Sequence, residues 1–214
     1  MYTKSVKALK ALSFLFLAIM ISTCKFDSEG ASTVDETNNN RYYNEAFQID
    51  LEIPSQWEVL AMSKTKEIKK QGNDASEDFF GRNTADTWTT LLHIGKGKSN
   101  NQMTINKSIY RPEIHGPNYE NSKKTRILGI KRMLENNPGV EVKSISDTTE
   151  IDGIKFYTNN MTVKRKGKTI VFQTLYEKKY DSDEIILISL TAEDSEELQR
   201  LKSIIKGMKI GRKD

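Results

Sequence analysis

Apolar and polar residues alternate in the chain after residue 46, which is the pattern of strands with one buried face. In segment 47–53, Phe, Ile, Leu and Ile alternate with Gln, Asp and Glu, and Pro54 ends the run. Segments 86–95 and 101–111 predict two further strands, joined by a turn rich in Gly and Asn. The residues of the latter strand that share one face are Met103, Ile105 and Ile109.

The spacing of the apolar residues becomes helical over residues 119–136, and Asn137-Pro138-Gly139 is a strong stop signal. Its apolar residues at helical spacing are Ile127, Ile130 and Leu134. A second helix is predicted to begin at Asp194, because Glu197 follows three residues later as in a capping box. The apolar stripe of this second helix consists of Leu198, Leu201, Ile204 and Ile205.

Between the two helices, turn signals divide the chain into strands. Asp152-Gly153 predicts a hairpin, and Lys166-Gly167-Lys168 predicts a second turn. The strands on either side of these turns cover 140–150, 154–165 and 169–179. Segment 184–192 is almost entirely apolar, so we expect a central strand that is covered on both faces.

Together these elements predict an α+β fold: a mostly antiparallel sheet of about six to eight strands flanked by two main helices. Residues 41–214 are enough for one domain with a proper core.

The N-terminus has the composition of an export signal. Lys4, Lys7 and Lys10 precede an apolar run over 11–23, and no acidic residue occurs before Asp27. As a helix this run would span about 20 Å, which is short of the ~30 Å hydrocarbon core of a bilayer. We therefore expect residues 1–23 to be a signal peptide rather than a transmembrane helix.

The end of this run, Ile21-Ser22-Thr23-Cys24, resembles the lipobox of bacterial lipoproteins, and Cys24 is the only cysteine of the chain. The resemblance implies that Cys24 is lipidated and becomes the first mature residue. The alternative is an ordinary small residue that closes the apolar run. Lys25 rather than Asp follows the cysteine, which by the same resemblance favours the outer membrane of the cell envelope.

Residues 24–40 contain few apolar residues after the cysteine and are acidic, so we expect a flexible tether. The full chain has a formal net charge of +4, and three of its lysines precede Cys24, so the processed chain carries +1. Much of the apparent basicity therefore belongs to the signal peptide and does not indicate binding to nucleic acid.

The segment from Tyr43 to Val59, with its Ile-Pro-Ser-Gln-Trp sequence, resembles the first hairpin of PsbP-like domains, and the later hairpins and final helix are similar to that fold. The family implies an antiparallel sheet sandwiched by helices. Its members act mostly as binding or assembly modules, so the resemblance implies no enzymatic activity.

The chain lacks recognisable catalytic and metal-binding motifs. His93 and His115 lie far apart and match no metal-ligand spacing, so we expect no metal site. The sequence Gly95-Lys-Gly-Lys-Ser99 imitates a phosphate loop, but Leu92 occupies the place of its first glycine. We expect no cofactor and no enzyme, although an active site built from scattered residues leaves no sequence signal.

Basic residues form clusters in the sequence. These clusters are either ordinary solvated surface or a face that binds anionic surfaces. The residues of this candidate binding face are Lys123, Lys124, Arg126, Lys164, Arg165, Lys166 and Lys168. No aromatic residues alternate with these clusters, so we do not expect nucleic acid as a partner.

The leading hypothesis is a lipid-anchored, non-catalytic binding or assembly module that has the membrane and an envelope protein as partners. The alternative is a small-ligand carrier, or a hydrolase without a known motif, that uses a pocket between sheet and helix.

Overall fold

The computed structural model describes residues 40–60, 88–97 and 99–211. The predicted signal peptide, Cys24 and almost all of the predicted tether lie outside the described residues. No helix within the described part is long and apolar enough to cross a bilayer.

The described residues form two main helices, one short helix and ten strands. The helices are α1 (Pro112–His115), α2 (Tyr119–Glu135) and α3 (Ser195–Gly207). The strands are β1 (Arg41–Asn44), β2 (Ile49–Glu52), β3 (Glu58–Val59), β4 (Thr89–Gly95), β5 (Gln102–Ile109), β6 (Val140–Ile151), β7 (Ile154–Arg165), β8 (Lys168–Lys179), β9 (Glu184–Ala192) and β10 (Lys209–Ile210).

Seven of these strands form one large antiparallel sheet in the order β3-β4-β5-β9-β8-β7-β6. The remaining three form a small antiparallel sheet in the order β1-β2-β10. The predicted α+β class with a mostly antiparallel sheet and two main helices is confirmed. The small sheet was not predicted, because its outer strands are too short to show a periodic pattern.

Strand β9 occupies the centre of the large sheet, as its apolar sequence predicted. Its even-numbered residues, from Ile186 to Ala192, enter one hydrophobic core together with α3 and the small sheet. Ile185 and Leu187 enter a second core together with α2. The large sheet therefore lies between two layers, and we call its two sides the α3 face and the α2 face.

Both predicted hairpins are present and have two-residue turns. Asp152 and Gly153 have φ angles of 49° and 79°, and Lys166 and Gly167 have φ angles of 51° and 76°. Positive φ at both central residues matches the right-handed twist of the flanking strands. The first turn sets the register of β6 and β7, whereas a β-bulge between the pairs Lys164–Thr169 and Val163–Val171 shifts the register that the second turn begins between β7 and β8.

The predicted cap of α3 is present, but the Glu197 carboxylate bonds to the side chains of Lys96 and Arg200 instead of completing a capping box. Asp194 accepts a hydrogen bond from the Glu197 backbone N–H at 2.8 Å, which satisfies one free donor of the first turn. The Glu197 carboxylate accepts hydrogen bonds from Lys96 Nζ at 2.6 Å and Arg200 Nη1 at 2.9 Å. Glu197 thus ties α3 to the end of β4.

Candidate functional site

Polar side chains are buried on half of the α2 face of the large sheet. On β5, Met103 and Ile105 point to the α3 face and are fully buried. The alternate residues of β5 point to the opposite face, since side chains alternate along a strand. These residues are polar, yet all of them are buried: Gln102, Thr104, Asn106 and Ser108.

The neighbouring strands extend this set in register. Thr191 on β9 lies opposite both Gln102 on β5 and Gln173 on β8. One step along the sheet, Thr104 lies opposite both His93 on β4 and Ser189 on β9. We define the polar layer as Thr90, His93, Gln102, Thr104, Asn106, Gln173, Ser189 and Thr191.

Hydrogen bonds connect parts of the polar layer. His93 Nε2 lies 2.9 Å from Gln102 Oε1, and because a carbonyl oxygen only accepts, this contact requires the proton on Nε2. Asn106 accepts from Thr90 Oγ1 at 2.8 Å and donates to Thr104 Oγ1 at 3.1 Å. These bonds hold the side chains of β4 and β5 in fixed orientations.

Two atoms of the layer lack a hydrogen-bond partner in the described part of the chain. They are Gln173 Oε1 and Thr191 Oγ1, which belong to directly opposite residues that are each 1% exposed. Leaving a buried polar group unpaired costs about 1–3 kcal/mol. The polar layer contains no Asp, Glu, Lys or Arg, so Gln173 Oε1, an acceptor, and Thr191 Oγ1, which can accept and donate, lie among uncharged amide, hydroxyl and imidazole groups.

A charged cluster lies beside the polar layer on the same face. Glu177 on β8 is buried and accepts hydrogen bonds from Tyr119 Oη at 2.7 Å and from Arg126 Nη2. Burial, together with the neighbouring charge of Glu177, raises the pKa of Tyr119. Arg126 lies over the ring of Trp88, 5.7 Å from its centroid. The cluster joins α2 to the sheet and leaves Glu177 with both oxygens occupied.

The first predicted basic cluster is largely turned inward. Lys123 is 5% exposed, and its Nζ lies 2.8 Å from Glu120 Oε1. The same ammonium lies over the rings of Tyr119 and Tyr157, at 4.9 and 4.3 Å from their centroids. Arg126 pairs with Glu177, so only Lys124 of this cluster is exposed.

The second predicted basic cluster surrounds the turn between β7 and β8. Its members are Lys164, Arg165, Lys166 and Lys168, and all except the half-buried Arg165 are exposed. Lys123 contacts Tyr157 near the start of β7, whereas Arg165 ends that strand, about 26 Å away at the usual rise per residue. The structure therefore does not bring the two clusters together, and binding of anionic surfaces by either one stays a prediction.

The two histidines lie in different environments. His93 is buried in the polar layer, whereas the ring of His115 stacks on Tyr110 with the centroids 5.7 Å apart. Burial, together with the positive charges of Arg126 and Arg111, lowers the pKa of His115. Within the described residues, no three His, Cys, Asp or Glu side chains lie close enough together to hold a metal ion.

Sequence reasoning missed the polar layer. Polar and apolar residues alternate on β5, which is also the pattern of a strand with one side facing solvent. The sequence therefore does not distinguish a strand buried on both faces from one buried on a single face. Met103, Ile105 and Ile109 lie on one face of β5 as predicted, but Ile109, the last residue of the strand, is 47% exposed.

Neither a scan against protein-family models nor a search of the curated proteins gives a match. A search of the solved structures finds CyanoP, the cyanobacterial PsbP from Synechocystis sp. PCC 6803. Its TM-score is 0.50 at 9% sequence identity, over 87% of this chain and 98% of that chain. The chain has a PsbP-like fold.

The search also finds LpqN, a protein involved in cell envelope biogenesis of Mycobacterium tuberculosis. It has a TM-score of 0.40 and 14% identity, over 76% of this chain and 83% of that chain. The PsbP-like fold accounts for the sheet between helices, and the polar layer is described from this chain's own residues.

Proposed function

We propose that this chain is a lipid-anchored protein of the cell envelope whose PsbP-like domain is a non-catalytic binding module. The proposed location is supported by the sequence, which has a basic start, an apolar run over 11–23, and Cys24 at the end of that run. We further propose, from their acidic and polar composition, that residues 24–40 are a tether to the domain, whose first strand begins at Arg41. The proposed partners are the membrane, through the lipid on Cys24, and an envelope component, with no role for nucleic acid.

The observation that carries the binding role is the polar layer. Gln173 Oε1 and Thr191 Oγ1 are buried without partners in the described residues, on adjacent central strands. A site of neutral amide and hydroxyl groups recognises a ligand by hydrogen bonds. The proposed ligand is small and uncharged and carries hydroxyl groups, which can donate to Gln173 Oε1 and exchange a hydrogen bond in either direction with Thr191 Oγ1, as a sugar or polyol does.

Mass analysis of the mature N-terminus tests the anchor. The wild-type chain, grown with a labelled fatty acid, should lose residues 1–23 and carry the label on Cys24. The Cys24→Ala variant should carry no label. A wild-type chain whose Cys24 carries neither the added mass of a lipid nor the label would show that the proposed anchor is wrong. Separation of inner and outer membranes on a density gradient then tests the proposed outer-membrane location.

Native mass spectrometry and thermal unfolding of the full chain test the ligand, with trehalose, maltose and inositol as probes. We expect a probe to raise the unfolding temperature of the wild type but not of a Gln173→Leu/Thr191→Val variant. Thr158→Val is the matched control, because Thr158 is buried on the α3 face. A double variant that is more stable than the wild type, with no probe bound by either, would contradict the ligand site.

A further inference from the structure

Strand β6 forms one edge of the large sheet along its whole length. Every residue from Val140 to Ile151 pairs with β7, and no described strand pairs with the other side of β6. The opposite edge of the sheet, β3, has only two residues. An unpaired strand of this length presents a row of backbone donors and acceptors to any strand that approaches it.

The middle of β6 is open to solvent. Residues 145–148 are all exposed, although successive side chains point to opposite faces of the sheet. Ile145 is 52% exposed, and it has the largest exposure among the exposed large apolar side chains. An approaching strand would therefore meet an apolar residue at the centre of the edge, with no described element in the way.

We propose that β6 pairs with β6 of a second copy of this chain, antiparallel, around a two-fold axis at Ile145. Such an axis is normal to the sheet, so it places residues of equal distance from Ile145 opposite each other. Lys143 then lies opposite Asp147 of the second copy, and symmetry repeats this pair. Two oppositely charged pairs would flank two isoleucines that face each other.

The charges distinguish this register from its neighbours. An axis at Ser144 would place Glu141 opposite Asp147, and an axis at Lys143 or Asp147 would place that residue opposite its own copy. An axis at Ser146 would leave both Lys143 and Asp147 opposite uncharged residues. Of the two-fold axes from residue 143 to 147, only the one at Ile145 makes attractive pairs and no repulsive ones.

Side chains protect this edge in the single copy. Val142 donates its backbone N–H to Glu135 Oε1 at 3.3 Å, and Thr148 donates its own to Asp147 Oδ1 at 2.7 Å. Charged side chains beside an edge oppose unspecific pairing. In the proposed register Val142 lies opposite Thr148 of the second copy, so Glu135 and Asp147 would release these two N–H groups to the partner strand, and Asp147 would pair with Lys143 of the second copy.

Disulfide trapping tests the register. The background is a Cys24→Ser chain purified in mild detergent, so an introduced cysteine is the only thiol of the protein. Ile145→Cys should form a disulfide between copies, because residues directly opposite have Cβ atoms about 4.5–5.5 Å apart. Thr148→Cys is the matched control: Thr148 is also exposed on the same strand but would lie opposite Val142. Equal trapping at both positions, or none at residue 145, would overturn the proposal.

A charge exchange tests the same register without a disulfide. Sedimentation should show that Lys143→Asp and Asp147→Lys each weaken dimer formation about tenfold, since each replaces two attractive pairs by two repulsive ones. The double variant Lys143→Asp/Asp147→Lys should return to within about twofold of the wild type. Failure of the double variant to recover would overturn the proposed pairing.

Discussion

Glu177 is a buried carboxylate whose neighbours determine its role. Tyr119 and Arg126 occupy its two oxygens, so the charge is paired and holds α2 against β8. The residue lies in a row with Leu187 and Asn106, at the border of the polar layer. Glu177 therefore separates a charged, structural cluster from a neutral one that has unpaired hydrogen-bonding atoms.

Removal of Glu177 should destabilise the domain strongly. Glu177→Ala leaves Arg126 and Tyr119 without their partner, and we expect a loss of about 3 kcal/mol of unfolding free energy in urea. Glu196→Ala is the matched control, because Glu196 forms an exposed pair with Arg200 and should cost at most about 0.5 kcal/mol. Equal losses in the two variants would contradict the structural role of Glu177.

His115 should make stability depend on pH. Its pKa is lowered in the folded protein, by burial and by Arg126 and Arg111, from an ordinary value of 6.5. The unfolded chain therefore binds the proton more readily, and stability falls as pH decreases below about 6.5. Urea unfolding from pH 7.5 to 5 should show that the wild type loses stability relative to His115→Gln, with Glu113 and both arginines kept. A constant difference between the two across this range would contradict the shift.

At the scale of elements, the long hairpins and the cap of α3 define the architecture. The turns at Asp152-Gly153 and Lys166-Gly167 place β6, β7 and β8 side by side, and a β-bulge next to the second turn shifts the pairing of β7 with β8 by one residue. Asp152 also accepts a hydrogen bond from the Ile210 backbone N–H at 2.9 Å, which joins the first hairpin to the small sheet. A local turn thus also connects two layers of the fold.

The cap of α3 provides a test at this scale. Asp194→Ala removes the acceptor for the Glu197 N–H, and we expect a loss of about 1 kcal/mol in unfolding free energy. Asp194→Asn keeps an acceptor oxygen and should retain most of the stability. If both variants unfold like the wild type, the cap does not stabilise α3.

At the scale of the whole molecule, the position of a strand in the sheet determines how tightly it is held. Strand β9 has neighbours on both sides and enters both cores, whereas β6 has one neighbour and an exposed middle. We therefore expect the sheet to open least at its centre, where β9 contributes to the polar layer, and most at the β6 edge.

Hydrogen exchange should reveal this gradient. We expect the amides of β9 to exchange only by global unfolding, and those of residues 144–148 in β6 to exchange much faster. Protection of the β6 amides that rises with protein concentration, and is lost in Lys143→Asp, would agree with pairing between copies. Uniform protection across the sheet at every concentration would contradict the gradient.

The sequence by itself determined the helices, the long strands, the two hairpin turns and the α+β class. These features depend on residues that are close along the chain: Asp152 and Gly153 set a turn, and Asp194 caps the helix that follows it. The tertiary structure decided where polar side chains lie. Gln102, Gln173 and Thr191 are distant in sequence and meet only because β5, β9 and β8 are neighbours. In the sequence, Lys123 and Arg126 belong to a basic cluster that has the pattern of a solvated surface. Their burial depends on the elements that pack against them, so their contacts with Glu120 and Glu177 appear only in the folded chain.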